Sequence, residues 1–150
     1  MSGVIELVER YTVPDKTIYD FYYKIYVKCP RCSGRAKIDK KDKDNSGLHS
    51  PEILFCDNCG YIKEGKILYN SERLQLWLKV KCCGNTLWAL NEGHLDYIEN
   101  YIGAKLRERK RDPNLGWHNQ SIASKLPIWM KDSKNRIEVL KGIQKLRKMI

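Results

Sequence analysis

The sequence predicts an α+β protein, β-rich to about residue 90 and helical beyond it. Three observations carry that expectation. Alternating aromatic and β-branched runs lead into two Cys-x-x-Cys pairs, a further alternating run bends about a glycine, and apolar residues then recur every three or four positions. A chain of 150 residues typically buries about 70% of the surface it exposes unfolded, so it can form a real core. Its 42% apolar content suits a globular protein and leaves no low-complexity stretch.

The elements follow in chain order. "MSGVIELVERYT" mixes Glu6, Glu9 and Arg10 among its apolar residues and is not expected to be a signal peptide. In "TIYDFYYKIYVKCP", Tyr19, Phe21, Tyr23, Ile25 and Val27 alternate with Tyr22, Lys24, Tyr26 and Lys28, which predicts a strand. "SGRAKIDKK" predicts a turn and a second strand, "DKDNSGLHSP" an exposed loop, and "EILFCDNCGYI" a further strand ending in cysteines. In "RLQLWLKVKCCGNTLWALN" a two-residue Gly84-Asn85 loop would close a hairpin, with Lys81 opposite Trp88 and Val80 opposite Ala89. Asn91 reads as an N-cap, with Glu92 in the first turn of a helix reaching about Lys110. Its stripe would be Leu95, Ile98, Ile102 and Leu106. A short helix is expected over 121–125, and a last one after Ser133 with Ile137, Leu140, Ile143 and Leu146 on one side.

The chemistry is concentrated in "CPRC" and "CDNC". Cys29, Cys32, Cys56 and Cys59 form two Cys-x-x-Cys turns separated by enough chain for a strand, a loop and a returning strand. Two such turns at adjacent hairpin ends close a tetrahedral thiolate cage for one structural Zn2+, with no position left for water. Gly34 and Gly60 would supply the sharp bends. A thioredoxin-like redox centre needs one pair beside a βαβ pattern, which is not this context. An iron–sulfur centre with the same ligands is the minor alternative. Lys28, Arg31 and Arg35 would offset the negative charge of the cage. Cys82 and Cys83 are adjacent, so alternation turns Cys82 inward with Leu78 and Val80 and Cys83 outward.

These residues also carry a resemblance. "CPRCSG…CDNCGY" resembles the zinc ribbon of the general transcription factor B type, which implies ligand roles for Cys29, Cys32, Cys56 and Cys59. "LWLKVKCCGNTLWALNEGHLDYIENYI" is similar to a segment of small bacterial zinc-ribbon proteins, which brings no established activity with it. On this reading, residues 1–70 are the ribbon with its N-terminal strand. Residues 71–150 are the hairpin and basic helical region, packed with the ribbon as one unit. Ribbons serve in transcription, in the ribosome and in protein docking, so the fold does not name the function.

Charge points to a partner. The net charge is +10, and residues 101–150 hold 13 Lys/Arg against 4 Asp/Glu. Lys105, Arg107, Arg109, Lys110 and Arg111 form one cluster, and Lys141, Lys145, Arg147 and Lys148 another. Basic residues at helix ends suit the dipole, but two clusters exceed that need, and a nucleic-acid phosphate surface is the expectation. On the hairpin, Trp77, Lys79, Lys81 and Trp88 share a face, a pattern that allows bases to stack beside phosphates. The favoured alternative puts both tryptophans under the C-terminal helices. A rival function is that of an interaction module or accessory subunit docking on another protein through the ribbon and the Trp77/Trp88 hairpin. His49, His94 and His118 stand singly and no glycine-rich phosphate loop is present. No enzyme activity, small-molecule substrate or membrane span is expected, and paired cysteines without an export signal suggest the reducing cytosol.

Overall fold

The computed structural model describes residues 8–13, 16–40, 52–65, 74–109 and 122–150. The fold is mixed α and β. Strands β2 (Lys24–Lys28), β3 (Arg35–Lys40), β4 (Glu52–Cys56) and β5 (Ile62–Gly65) form an antiparallel meander in that order. Strands β6 (Leu78–Cys82) and β7 (Asn85–Ala89) form a hairpin. Helix α1 (Glu92–Gly103) follows it, then β8 (Ala104–Arg109), which pairs in parallel with β1 (Val8–Val13). Two short helices, α2 (Ile122–Lys125) and α3 (Ile128–Lys131), lead to α4 (Arg136–Arg147). Among the described residues no helix is long and apolar enough to cross a membrane.

Strand β2 joins the meander to the rest. One edge pairs with β3; the other receives the chain before β6, through a Val27–Leu76 bridge and bonds from Lys28 N–H to Gln75 O and Trp77 N–H to Tyr26 O. Ile25, Tyr26 and Val27 are consecutive and all buried, because both faces of β2 are covered. The Tyr26 N–H donates to Leu90 O at 3.0 Å. Next to it lies Asn91, fully buried. Its Nδ2 donates to Phe21 O at 2.7 Å and to Lys24 O at 2.5 Å, while its Oδ1 caps α1 by accepting from His94 N–H at 2.9 Å.

The second layer is α4 lying across the hairpin and against α1. Leu78, Leu87 and Ala89 of the hairpin, Leu95, Ile98 and Ile102 of α1, and Val139, Leu140, Ile143 and Leu146 of α4 form its buried core. At Gly142 a Cβ would come within 2.8 Å of the Leu87 methyl, so the helix sits on the hairpin as close as its backbone allows. Arg147 braces α4 against α1, donating to Asp96 Oδ1 at 2.6 Å and Glu99 Oε2 at 3.2 Å.

Four expectations are corrected. The first strand begins at Lys24, and Ile18–Phe21 instead forms a 3-10 turn. Helix α1 ends at Gly103, and Leu106 stands on β8 opposite Arg10. "AKLRER" satisfies period two as well as the helical stripe, and pairing with β1 decides between them. The hairpin turns at Cys83-Gly84, pairing Lys79 with Trp88, Val80 with Leu87 and Lys81 with Thr86. Both turn residues have positive φ, 53° at Cys83 and 76° at Gly84, as the tight hairpin turn matching strand twist requires. On α4, Ile137 is 44% exposed and Val139 takes its place inside. Steps of three residues slip about 60° each around a helix, so three of them carry Ile137 to the side opposite Leu146.

Replacing Asn91 with Ala is expected to cost about 2–5 kcal/mol of folding stability, from a lost cap and two orphaned carbonyls. Asn91→Asp keeps the capping oxygen but not the two donors. It should remain well below wild type in urea titration; full recovery by Asp would show that the cap alone matters. His94 offers a second check. Burial lowers its pKa from 6.5 to about 4, so the unfolded chain takes up a proton that the folded chain refuses. Its contribution is intact above pH 6.5 and falls by about 1.4 kcal/mol per pH unit down to about pH 4. The stability difference between wild type and His94→Gln, followed against pH, should show that slope.

Candidate metal centre

Each half of the centre is a strand end, a tight turn and the start of the returning strand. Cys29 follows β2 and Cys32 precedes β3; Cys56 ends β4 and Cys59 precedes β5. Because β3 pairs with β4, with Ala36 opposite Cys56, the two turns emerge side by side at one end of the sheet. The turns share a hydrogen-bond pattern. Ser33 N–H donates to Cys29 O and Gly60 N–H to Cys56 O, both at 2.9 Å. Cys29 N–H reaches Gly34 O and Cys56 N–H reaches Tyr61 O, closing each loop.

The left-handed residue is Ser33 (φ 64°) in the first turn and Gly60 (φ 79°) in the second. This corrects the expectation that Gly34 supplies the first bend. Gly34 is needed for space: a Cβ there would lie 3.1 Å from the Asn58 side chain and 3.2 Å from Cys32 Sγ. The turns aim N–H groups at sulfur. Arg31 N–H meets Cys29 Sγ and Gly34 N–H meets Cys32 Sγ at 3.3 Å, and Cys59 N–H meets Cys56 Sγ at 3.4 Å. Asn58 adds a side-chain donor, Nδ2 to Cys32 Sγ at 3.4 Å. Sequence reasoning passed over Asn58, although its place inside "CDNC" was the available signal.

All four sulfurs lie within 4.8 Å of one another. Cys29 and Cys59 are 3.7 Å apart, Cys32 and Cys56 3.5 Å. Their thiols are driven apart in acidity. The Asn58 amide, then the Gly34 N–H, bring Cys32 down to about 6. Burial opposes ionisation of Cys29, yet N–H groups of its turn and the neighbouring thiols hold it below its usual value. At Cys59 the Tyr61 N–H favours the thiolate, but desolvation and the three other sulfurs push it up to about 12. Four thiolates this close need a cation to coexist, and this donor set suits a metal ion. Arg35 reaches Asp57 at 3.7 Å and lies over the Tyr26 ring, so its charge is shared with neighbours outside the cage.

The other candidates are dispersed. Cys82 is buried and Cys83 exposed in the hairpin turn, with sulfurs 3.6 Å apart. Burial, then Cys83, pushes the Cys82 thiol up to about 11. Among the described residues no second cluster of His, Cys, Asp or Glu is placed to hold a metal. Lys79 and Lys81 are exposed on the hairpin face turned away from α4, while Lys141 and Lys145 are exposed on α4 and Lys148 at its C-cap. Arg147 is engaged with Asp96 and Glu99. Lys105, Arg107 and Arg109 stand on β8; Lys110, Arg111, His49 and His118 lie outside the described residues. Trp77 is half-buried, its indole N–H donating to Met149 O at 2.8 Å, whereas Trp88 is 43% exposed.

Comparison with protein-family models, curated proteins and solved structures finds no match to this chain.

Metal content separates the cysteines. Cys56→Ser should abolish tight metal binding and Cys83→Ser should leave it unchanged, as read by elemental analysis of protein prepared without chelator. Asn58→Ala should keep the stoichiometry but weaken retention against a competing chelator, because one sulfur loses its side-chain donor.

Proposed function

We propose that the protein is a non-catalytic zinc ribbon with one structural zinc, and that lysines of its C-terminal helix contact nucleic-acid phosphates. The proximity of the four sulfurs carries this reading. Zinc–sulfur bonds of about 2.3 Å place tetrahedral sulfurs about 3.8 Å apart, and the two closest pairs here stand at 3.5 and 3.7 Å. Four thiolates complete the shell, so no position is left for a reacting water. The ion fastens the β2–β3 and β4–β5 turns to each other, and β2 carries that order to the hairpin and α1.

The nucleic-acid part rests on charge placement. Lys141 and Lys145 of α4 and its C-cap Lys148 follow one another at helical spacing on an exposed side. Lys79 and Lys81 face the other way and would serve a separate contact. Trp77 is half-buried with its indole N–H on Met149 O, which supports a packing role over base stacking. A protein-docking reading draws on Ile128, 85% exposed, and Trp88.

Protein purified without chelator should be colourless and hold one zinc per chain, whereas an iron centre would absorb visible light. Binding to duplex DNA or RNA should weaken with salt, with a log–log slope of roughly −0.9 per phosphate contacted on DNA. Joint reversal of Lys141, Lys145 and Lys148 to Glu should flatten that slope and remove most of the affinity while the melting temperature holds. A zinc-loaded sample that binds neither nucleic acid at low salt would transfer the case to protein docking.

A further inference from the structure

Between the hairpin's outer face, α1 and the α2–α3 segment lies a cavity of about 300 Å³. Trp88, Ile98, Ile122 and Met130 give it apolar walls. His94 is the buried polar group that lines it, only 2% exposed. The Leu90 N–H donates to its Nδ1 at 3.1 Å. The neutral ring therefore carries its proton on Nε2. Burial holds the pKa at about 4, so the ring is neutral at physiological pH. Phe21 stacks on it at 5.3 Å and Trp88 meets it edge-on at 5.7 Å, which fixes the plane of the imidazole. With Nδ1 taken by Leu90, Nε2–H is the donor the ring has left for a ligand. A rigid, buried donor on an apolar cavity is the arrangement by which small-molecule sites orient a ligand.

We propose that this cavity binds a compact aromatic molecule bearing a carbonyl or carboxylate oxygen that accepts a hydrogen bond from His94 Nε2–H. Size sets the first limit. A cavity of about 150 Å³ takes up benzene, so one of about 300 Å³ suits two fused rings with a short substituent. Polarity sets the second. Lys125 and Thr86, both exposed, also line the cavity and favour an anionic or accepting group over a cationic one. No cysteine of the metal centre lines it, so the site stands independently of the zinc and nucleic-acid reading. No sequence motif announces it, because its walls come from four separate stretches of chain.

The test uses the full zinc-loaded chain and two probes of matched shape, acetylnaphthalene and ethylnaphthalene, with the substituent at the same ring position. Acetylnaphthalene should bind about tenfold more tightly, and nitrogen-resolved imidazole NMR should show the His94 Nε2 proton shifting as it is added. His94→Phe should erase the preference while ethylnaphthalene still binds. Since that variant also leaves the Leu90 N–H without its acceptor, Met130→Trp provides a second arm that fills the cavity and spares the imidazole; it should abolish binding of both probes. Equal affinity for the two probes in wild type, no binding of either, or unchanged binding in Met130→Trp would overturn the proposal.

Discussion

A buried amide holds this molecule together. Asn91 belongs to α1 by position, yet its Nδ2 serves two carbonyls that flank the start of β2. The bond to Phe21 O is buried and that to Lys24 O partly so, and Asn91 itself is fully buried. The start of α1 is thus fixed on the strand that leads to the cysteine sheet. Tyr26 and Lys24 reinforce the junction by meeting the Glu92 carboxylate, Tyr26 through its hydroxyl at 2.5 Å and Lys24 through Nζ at 3.2 Å. Burial disfavours the ionised Glu92, but these partners outweigh it and hold the carboxyl below its usual range. The cap that starts a helix and the clamp that joins two layers are the same side chain.

The sequence made faces legible and registers illegible. Placing the hairpin turn at Gly84-Asn85 or at Cys83-Gly84 changes every cross-strand partner by two residues, and a shift of two returns each side chain to the same face. Leu78, Leu87 and Ala89 are inside under either turn, so hydrophobic alternation could not choose. The choice lies in backbone conformation, with Cys83 accepting a positive φ that its side chain does not advertise. The strand β8 escaped for another reason. Its partner β1 lies at the far end of the sequence, and no local pattern shows which strands will meet. The Asn91 cap was readable from its place before Glu92; its second task, on Phe21 and Lys24, was not, since it depends on a residue brought near only by folding.

The candidate metal centre was the most legible part because its cysteine spacing reflects local chemistry. Two turns with the same backbone pattern position four sulfurs, and the pattern is written in the residues between the cysteines. What spacing did not reveal is the asymmetry within the cage. Cys32 collects an amide and a backbone N–H, while Cys59 faces the other three sulfurs. The charge reading was coarser still. Arg147 counts as positive in any tally, yet it is engaged with two carboxylates of α1 and serves packing. Composition records how many charges a chain has, and only the fold shows which of them are already answered.

The parallel pairing of Val8–Val13 with Ala104–Arg109 has a bearing on the order of assembly. Among the described residues the other strand ladders join neighbours in sequence, with the isolated Val27–Leu76 bridge as the further long-range sheet contact. The β1–β8 ladder must instead close a loop spanning most of the chain, and such long-range contacts are slow to form. During synthesis β1 emerges first and stays without its partner until α1 and β8 have followed. The cysteine sheet can form in the meantime, since its four clustered cysteines have all appeared by residue 59. Closure of the four-cysteine sheet does not have to wait for the N-terminal strand, and an exposed strand edge would accompany the nascent chain until that late step.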